Sequence, residues 1–349
     1  MPVIQAPMAG VSTPELAAAV SNAGGLGSIA VGATDAADAR AMIAAVRART
    51  DRPFNVNLFV HEPARRDAAR ETRWLEALRP VFAHYGAEPP PALEAPYASF
   101  AKDDAMLAVL LDTAPPVVSF HFGLPNADRI AALASAGCTL LASATSPDEA
   151  QGVADAGIDM VVAQGWEAGG HRGMFDSHAP DDQLGTLALV RLLATDSNLP
   201  VIAAGGIMDG AGIRAALALG AVAAQLGTAF IACPESSADA AFRAALAGPG
   251  ASHTVMIRAI SGRPARCLAN LFTRWAETAP GDGPDYPVAY HAGKALHAAA
   301  RSAGESGFGA WWAGQGSPLS RAMPAVELVA RLREEIALPE PASPAARMP

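Results

Sequence analysis

The residues best suited to chemistry lie in Gln164-Gly165-Trp166-Glu167-Ala168-Gly169-Gly170-His171-Arg172-Gly173, where one histidine sits among four glycines. An imidazole with an ordinary pKa of about 6.5 can take a proton or hold an anion near neutral pH. Glycines let the main chain pass close to a flat ring, which would set His171 beside it. A purely structural, hydrogen-bonded histidine is the alternative, and so glycine-rich a loop favours the functional one. A second histidine lies in Ser119-Phe120-His121-Phe122-Gly123. On an extended strand His121 shares a face with Ser119. It either points into a site or is a hydrogen-bonded core residue, and its neighbours do not decide between the two. Asn57, in Asn55-Val56-Asn57-Leu58-Phe59, offers both a donor and an acceptor to a ring edge or a phosphate.

Two further segments suit an anion. Ala203-Ala204-Gly205-Gly206-Ile207 and Gln225-Leu226-Gly227-Thr228 each follow a short apolar run. Glycine brings backbone N–H groups close to a phosphate, and the Thr228 hydroxyl adds a donor. One glycine pair alone reads equally as a tight turn; two such loops in succession point to a phosphorylated ligand. Finally, Tyr286-Pro287-Val288-Ala289-Tyr290-His291-Ala292-Gly293-Lys294 spaces Tyr286, Tyr290 and Lys294 at i, i+4 and i+8. If helical, that stripe presents two phenols and an ammonium to a small organic anion. A solvated amphipathic face would have the same spacing.

The elements that must position these residues are legible as alternating short apolar runs and longer alanine-rich runs. Strand candidates are Val3–Pro7, Leu26–Val31, Phe54–Val60, Val117–Phe122, Thr139–Ala144, Met160–Gln164, Val201–Ala204 and Ala221–Leu226. Helical runs between them open on Ser12-Thr13-Pro14-Glu15 and Ser146-Pro147-Asp148-Glu149, a capping hydroxyl followed by proline and acid. Several end on glycine, at Gly24, Gly137, Gly157 and Gly220. Eight β-then-α units demand crossover helices and a parallel sheet, which places the chain in the α/β class as a (β/α)8 (TIM) barrel. In such a barrel the active site gathers at the C-terminal strand ends, with phosphate near the loops after strands seven and eight. His171 follows the sixth candidate, Gly205-Gly206 the seventh and Gly227-Thr228 the eighth. The barrel is expected over residues 1–251. Residues 252–338 break the rhythm and are expected to add a helical, substrate-side segment over the barrel mouth, with helices across Arg258–Asn270 and Tyr286–Ala300. Residues 339–349, rich in proline, read as a flexible tail.

Composition narrows the partners. The 349 residues are 51% hydrophobic, ample for one large barrel core. A net charge of -9 argues against nucleic acid as a partner. Cys138, Cys233 and Cys267 are scattered, with no CxxC or Cys/His cluster, so neither a disulfide framework nor a metal site is expected. Pro2-Val3-Ile4-Gln5-Ala6-Pro7-Met8 is not the start of a signal peptide, and no run of about 20 apolar residues suggests a membrane span. A cytoplasmic protein is expected, and a homodimer is left open.

Taken together, these residues resemble the nitronate monooxygenase family, formerly 2-nitropropane dioxygenases, and in particular its class I enzymes. The resemblance runs from Ile4 to Lys294. It is carried by Ala6-Pro7-Met8-Ala9-Gly10, Val56-Asn57-Leu58-Phe59, Ser119 to Gly123, Gln164 to His171, Ala204-Gly205-Gly206-Ile207 and Gln225 to Thr228, in that order. It implies FMN bound non-covalently at the barrel mouth, with contacts from Met8, Asn57, Gln164, Gly169, Gly206, Gln225, Leu226, Gly227 and Thr228. It makes His171 the matched catalytic residue and His121 a matched active-site histidine, with Tyr97, Tyr286, Tyr290 and Lys294 on the substrate side. The implied reaction oxidises an alkyl nitronate, characteristically propionate 3-nitronate, with O2 to a carbonyl compound and nitrite or nitrate. His171 would either deprotonate a neutral nitroalkane or hold the nitronate anion as a cationic or hydrogen-bonding partner; the latter suits a substrate that is already an anion. An NAD(P)H-dependent quinone or enoyl-thioester reductase would share the flavin loops. A non-catalytic flavin- or phosphate-binding barrel is the second alternative. The Tyr/Tyr/Lys stripe and paired histidines favour the monooxygenase.

Overall fold

The computed structural model describes residues 1–281 and 283–338. Its main sheet contains β1 (Val3–Gln5), β2 (Gly27–Ala30), β3 (Phe54–Phe59), β4 (Val117–His121), β5 (Thr139–Ala144) and β6 (Met160–Gln164). A short strand, β7 (Gly170–His171), lies outside that sheet, and β8 (Val201–Ala204) and β9 (Ala223–Leu226) complete it. All eight strand candidates are present, some trimmed at an end. They pair in parallel in the order β1-β9-β8-β6-β5-β4-β3-β2. The two ends of that series meet: Gln5 N donates to the Leu26 carbonyl and Leu26 N to the Val3 carbonyl, both at 2.9 Å. The sheet therefore closes on itself as a barrel.

Alternation of side chains divides the core in two. Ile4, Leu141, Val162, Ile202 and Ala204 point inward and plug the barrel. Their neighbours Val3, Leu140, Val161, Ala203 and Ala224 point outward and pack beneath the surrounding helices. Burying a side chain of this size contributes roughly 1.5–3 kcal/mol. The helices start where the hydroxyl caps required: Thr13 Oγ1 accepts from Leu16 N at 3.0 Å, and Ser146 Oγ from Glu149 N at 3.2 Å.

Beyond residue 252 the structure departs from expectation. Arg258–Asn270 is not a helix. It contains a turn, in which Gly262 N donates to the Arg258 carbonyl, and a strand, β11 (Ala265–Leu268). This strand pairs antiparallel with β10 (Thr254–Ile257) and with β7, setting Ala265 opposite His171. Two features defeat the helix: Gly262 has a positive φ of 90°, and Pro264 has no N–H to donate. The second expected helix is present as Val288–Ser302 and packs with helix Ala68–His84 around Leu75, Leu78, Phe82, Ala292 and Leu296. Nor does the whole of 252–338 lie over the mouth. Helix Ala325–Ala337 returns to the barrel flank, against helices Pro14–Asn22 and Gly210–Ala218. It buries Leu328, Val329 and Leu332 there, and Glu335 accepts from Gly210 N at 2.8 Å. The tail expected over 339–349 lies outside the described residues.

Candidate active site

The C-terminal strand ends open onto a cavity of about 510 Å³, within the roughly 300–1,000 Å³ typical of small-molecule sites. Met8, Asn57, Tyr97, His121, Gln164, Gly169, His171, Gly206, Gln225, Gly227, Thr228, Tyr286, Tyr290 and Lys294 all line it. Leu226 is the exception. Along β9 Gln225 faces the cavity, so alternation turns the Leu226 side chain outward into the helix-covered core.

His171 reaches the cavity on β7, held by pairing with β11. Its Nε2 lies 2.9 Å from Ser261 Oγ. Its carbonyl oxygen accepts from Gln164 Nε2 at 3.0 Å and from His121 Nε2 at 3.2 Å. That second contact answers the question left open for His121. Nε2 donates to a carbonyl and Nδ1 sits 2.9 Å from Ser143 Oγ, so both ring nitrogens are engaged. His121 lines the cavity and at the same time braces the main chain of His171. Burial is the main force holding His171 neutral, down to about 3; the repulsion that His121 and His61 would exert if protonated, and that of the Arg263 guanidinium, act in the same direction. Burial likewise holds His121 down to about 4.

Gln164 also accepts from Gly173 N at 2.7 Å through Oε1, tying strand β6 to the loop it feeds. Arg172 is buried and paired with Asp181 at 2.8 Å, so the loop is pinned on both sides of its turn. Asn57 Nδ2 donates to Ser119 Oγ at 2.9 Å. Two of the loop glycines, Gly165 and Gly169, serve close packing, while Gly170 takes a positive φ of 75°. A Cβ at Gly165 would lie 2.1 Å from Thr186 Oγ1, and one at Gly169 2.5 Å from Gly314 N. Gly227 differs, since its Cβ would meet only Ala6 Cβ at 3.5 Å and Met8 Sδ at 3.7 Å, at the cavity wall. Thr228 Oγ1 accepts from Gly314 N at 3.0 Å, which leaves the hydroxyl proton available to a ligand oxygen.

The substrate-side stripe converges with one change. Tyr286 precedes the helix Val288–Ser302, because the residue before Pro287 is disfavoured in helical conformation. Its ring still lies 5.3 Å from His171 and from Phe122, and 6.4 Å from Tyr97. The Tyr286 hydroxyl is buried and has no hydrogen-bond partner among the described residues, and burial raises its pKa. Lys294 Nζ sits over the Tyr97 ring at 4.6 Å and the Tyr290 ring at 5.4 Å. Burial lowers its pKa, and among the described residues no carboxylate opposes that shift.

Several contributors carried no sequence signal that would place them here. Ser143 and Ser261 are single hydroxyls remote from the histidines they meet. Trp312, 5.1 Å from His171 between ring centres, belongs to the loop whose Gly314 packs against Gly169. The run Trp311-Trp312-Ala313-Gly314-Gln315-Gly316 was the available hint. His61 is buried against Tyr286 at 5.0 Å, and burial followed by the Arg263 charge holds it down to about 4. Among the described residues no group of three or more His, Cys, Asp or Glu side chains could hold a metal ion.

Reactive side chains gathered at the C-terminal ends of a closed parallel barrel are the arrangement of (β/α)8-barrel enzymes, and this chain is one. The nitronate monooxygenase family model matches residues 1–335, and the chain belongs to that family. It is 61% identical over 336 residues to a nitronate monooxygenase of Paraburkholderia phytofirmans, covering 96% of this chain and 92% of the relative. A nitronate monooxygenase of Pseudomonas aeruginosa is 56% identical, with 96% of each chain covered. The crystal structure of nitroalkane oxidase from Streptomyces ansochromogenes superposes with a TM-score of 0.89 at 44% identity, covering 97% of this chain and 96% of that one. FabK from Thermotoga maritima superposes with a TM-score of 0.72 at 31% identity, over 96% and 92%.

Proposed function

We propose that this protein uses FMN to oxidise alkyl nitronates with O2, propionate 3-nitronate being the characteristic type, to a carbonyl compound and nitrite or nitrate. The observation that carries this reading is Lys294. An ammonium that no carboxylate opposes among the described residues, held over the Tyr97 and Tyr290 rings in the cavity that Tyr286 and His171 also line, is a receptor for a small organic anion. The names of the relatives in Paraburkholderia and Pseudomonas support the same chemistry.

The residues present fit FMN. The Gly227 backbone faces the cavity without a side chain to fill it, and the Thr228 hydroxyl has a proton to give. Gly206, Gln225, Gly227 and Thr228 would hold the phosphate side, and Met8, Asn57, Gln164 and Gly169 the ring side. When bound, FMN supplies the electron acceptor for the nitronate and the route onward to O2.

The protein's own share is binding and orientation. Lys294 and the tyrosines attract and hold the anion. An imidazolium at position 171 is opposed by burial and by the Arg263 charge, so His171 serves as a neutral group. For a nitronate that leaves it little to do beyond shaping the cavity; for a neutral nitroalkane a bare imidazole nitrogen can accept the proton.

Purified protein is expected to be yellow, to release FMN on denaturation, and to consume O2 with propionate 3-nitronate but not with NADH. Colourless protein that fails to bind added FMN overturns the cofactor assignment. Prompt anaerobic bleaching by NADH or NADPH, without nitronate turnover, makes the protein a reductase instead.

A further inference from the structure

Among the described residues four arginines are buried: Arg129, Arg172, Arg263 and Arg266. Arg129 pairs with Asp104 at 2.5 Å and Arg172 with Asp181 at 2.8 Å. Arg266 has no carboxylate, but its guanidinium donates to the Trp166 carbonyl and to Thr254 Oγ1. Arg263 has less relief than any of these. It is 4% exposed, its side chain donates to the Met174 and Phe175 carbonyls, and its Nε is buried without an acceptor. The acids that feel its charge, Glu149 and Asp176, are engaged elsewhere: Glu149 by Thr145 and Phe175 N, Asp176 by His178 N. Burial lowers its pKa to about 10, so the charge persists at neutral pH. A buried cation that no carboxylate pairs with is costly to keep.

That charge stands one ring behind the cavity. The guanidinium carbon lies 4.3 Å from the centre of the Phe122 ring. The same ring is 5.3 Å from Tyr286 and 5.5 Å from His171, both of which line the cavity. Phe122 is held at a φ of 78°, a left-handed conformation that a bulky side chain rarely adopts. Strain of this kind persists where the surroundings over-determine it, and it gathers at functional sites. Arg263 is also fixed in place. It follows Gly262, where a Cβ would lie 2.4 Å from Pro284 O and from Tyr286 N. Its field reaches the cavity, since it is among the influences that hold His61, His121 and His171 neutral. With those imidazoles uncharged and Lys294 exposed, the His171 side of the cavity owes its positive potential to Arg263.

We propose that Arg263 is a positioning residue for the nitronate head: from behind Phe122 its permanent charge draws the nitro end of the anion toward His171, while Lys294 takes the carboxylate. This rests on the nitronate reading of the site. The bound anion supplies the charge balance that the protein itself withholds, so a buried cation becomes selectivity for an anion over a neutral isostere. Attraction across roughly 10 Å at an effective dielectric constant of about 20 corresponds to a preference on the order of tenfold in Kd.

The test uses propionate as an inert stand-in for the nitronate head and propionamide as its neutral isostere, both titrated into holoprotein by ligand-observed NMR. Lys294→Met serves as the background, so that the exposed ammonium does not compete for the carboxylate. In it, propionate is expected to bind about tenfold tighter than propionamide. Adding Arg263→Gln keeps an amide donor for the Met174 carbonyl and drops the charge. It should bring the two ligands within about twofold by weakening propionate alone, and Arg263→Lys should restore the preference. A preference that persists with Arg263→Gln, or equal weakening of both ligands as a merely structural role would give, overturns the proposal. So does the lack of any preference in Lys294→Met, a result that needs no Arg263 variant to fold. If the parent binds propionate yet oxidises no nitronate, the nitronate reading fails, while the ratio of the two Kd values still decides the role of Arg263.

Discussion

The two site histidines meet through the main chain rather than ring to ring: His121 Nε2 donates to the carbonyl oxygen of His171 across 3.2 Å. Gln164 Nε2 donates to the same oxygen at 3.0 Å. The backbone under His171 is thereby clamped from β4 and from β6, which stand on neighbouring parts of the barrel wall.

A carbonyl oxygen has two lone pairs, so either donor alone can satisfy it. His121→Leu and Gln164→Leu are each expected to destabilise by roughly 1–3 kcal/mol. Together they should cost more than the sum, because only the double variant strips the buried oxygen of both. Chemical denaturation of the four proteins checks this. Strict additivity would mean that the two donors do not share one acceptor in solution.

Lys294→Met is expected to raise KM for propionate 3-nitronate about 10- to 100-fold, as loss of a charge-assisted contact of roughly 1.5–3 kcal/mol implies. An uncharged alkyl nitronate should lose much less. Steady-state kinetics on the pair decides it, and equal losses would remove Lys294 from contact with the carboxylate.

Gly227 and Gly169 should respond differently to substitution. Gly227→Leu is expected to leave the fold near its parent stability and lower FMN occupancy, because the side chain enters the cavity past Ala6 and Met8. Gly169→Ala is expected to lower the melting temperature whether or not flavin is present, since its Cβ would press on Gly314 N at 2.5 Å. Melting curves and bound-flavin absorbance separate the two.

Three histidines, His61 buried and His121 and His171 half-buried on the cavity wall, predict an acid sensitivity. His171 is held down to about 3, and His121 and His61 to about 4, against an unfolded value of about 6.5. Between those limits the unfolded chain binds more protons than the folded one, so stability rises with pH. Their contribution is complete above the unfolded value and is lost as pH falls toward the folded values. Thermal melts should therefore decline from pH 6.5 to 4.5, and His61→Leu should flatten the decline. An identical slope in that variant would show that His61 does not titrate on unfolding.

Much of this was legible in the sequence. The eight strands were readable because each short apolar run sits between capped, glycine-terminated helices, and strand order then follows from the parallel crossover rule. That rule also gathered His171, Gly206 and Gly227 at one end. What could not be read were contacts made across the chain. Ser261 meets His171 only because β11 pairs with β7, a two-residue strand with no periodicity to detect. The same pairing explains why Arg258–Asn270 read wrongly as a helix. The glycines around His171 were legible as a cluster, but the reason for Gly165 and Gly169, close contact with Thr186 and Gly314, lay elsewhere in the chain.

The barrel's seam joins β1 to β9, and the clasp over it is helix Ala325–Ala337, packed on helices Pro14–Asn22 and Gly210–Ala218. During synthesis the first strand emerges long before its partner β9 exists, and the clasp follows later still. Until then β1 presents an unpaired edge, the kind of surface that aggregates or recruits chaperones. Closing so long a loop also makes assembly slow compared with forming the local β–α units. Yield in the cell should therefore depend on how quickly the last helix is delivered to a half-built cylinder. Changes to Leu328 or Leu332 would then reduce the amount of protein obtained more than the activity of each molecule that matures.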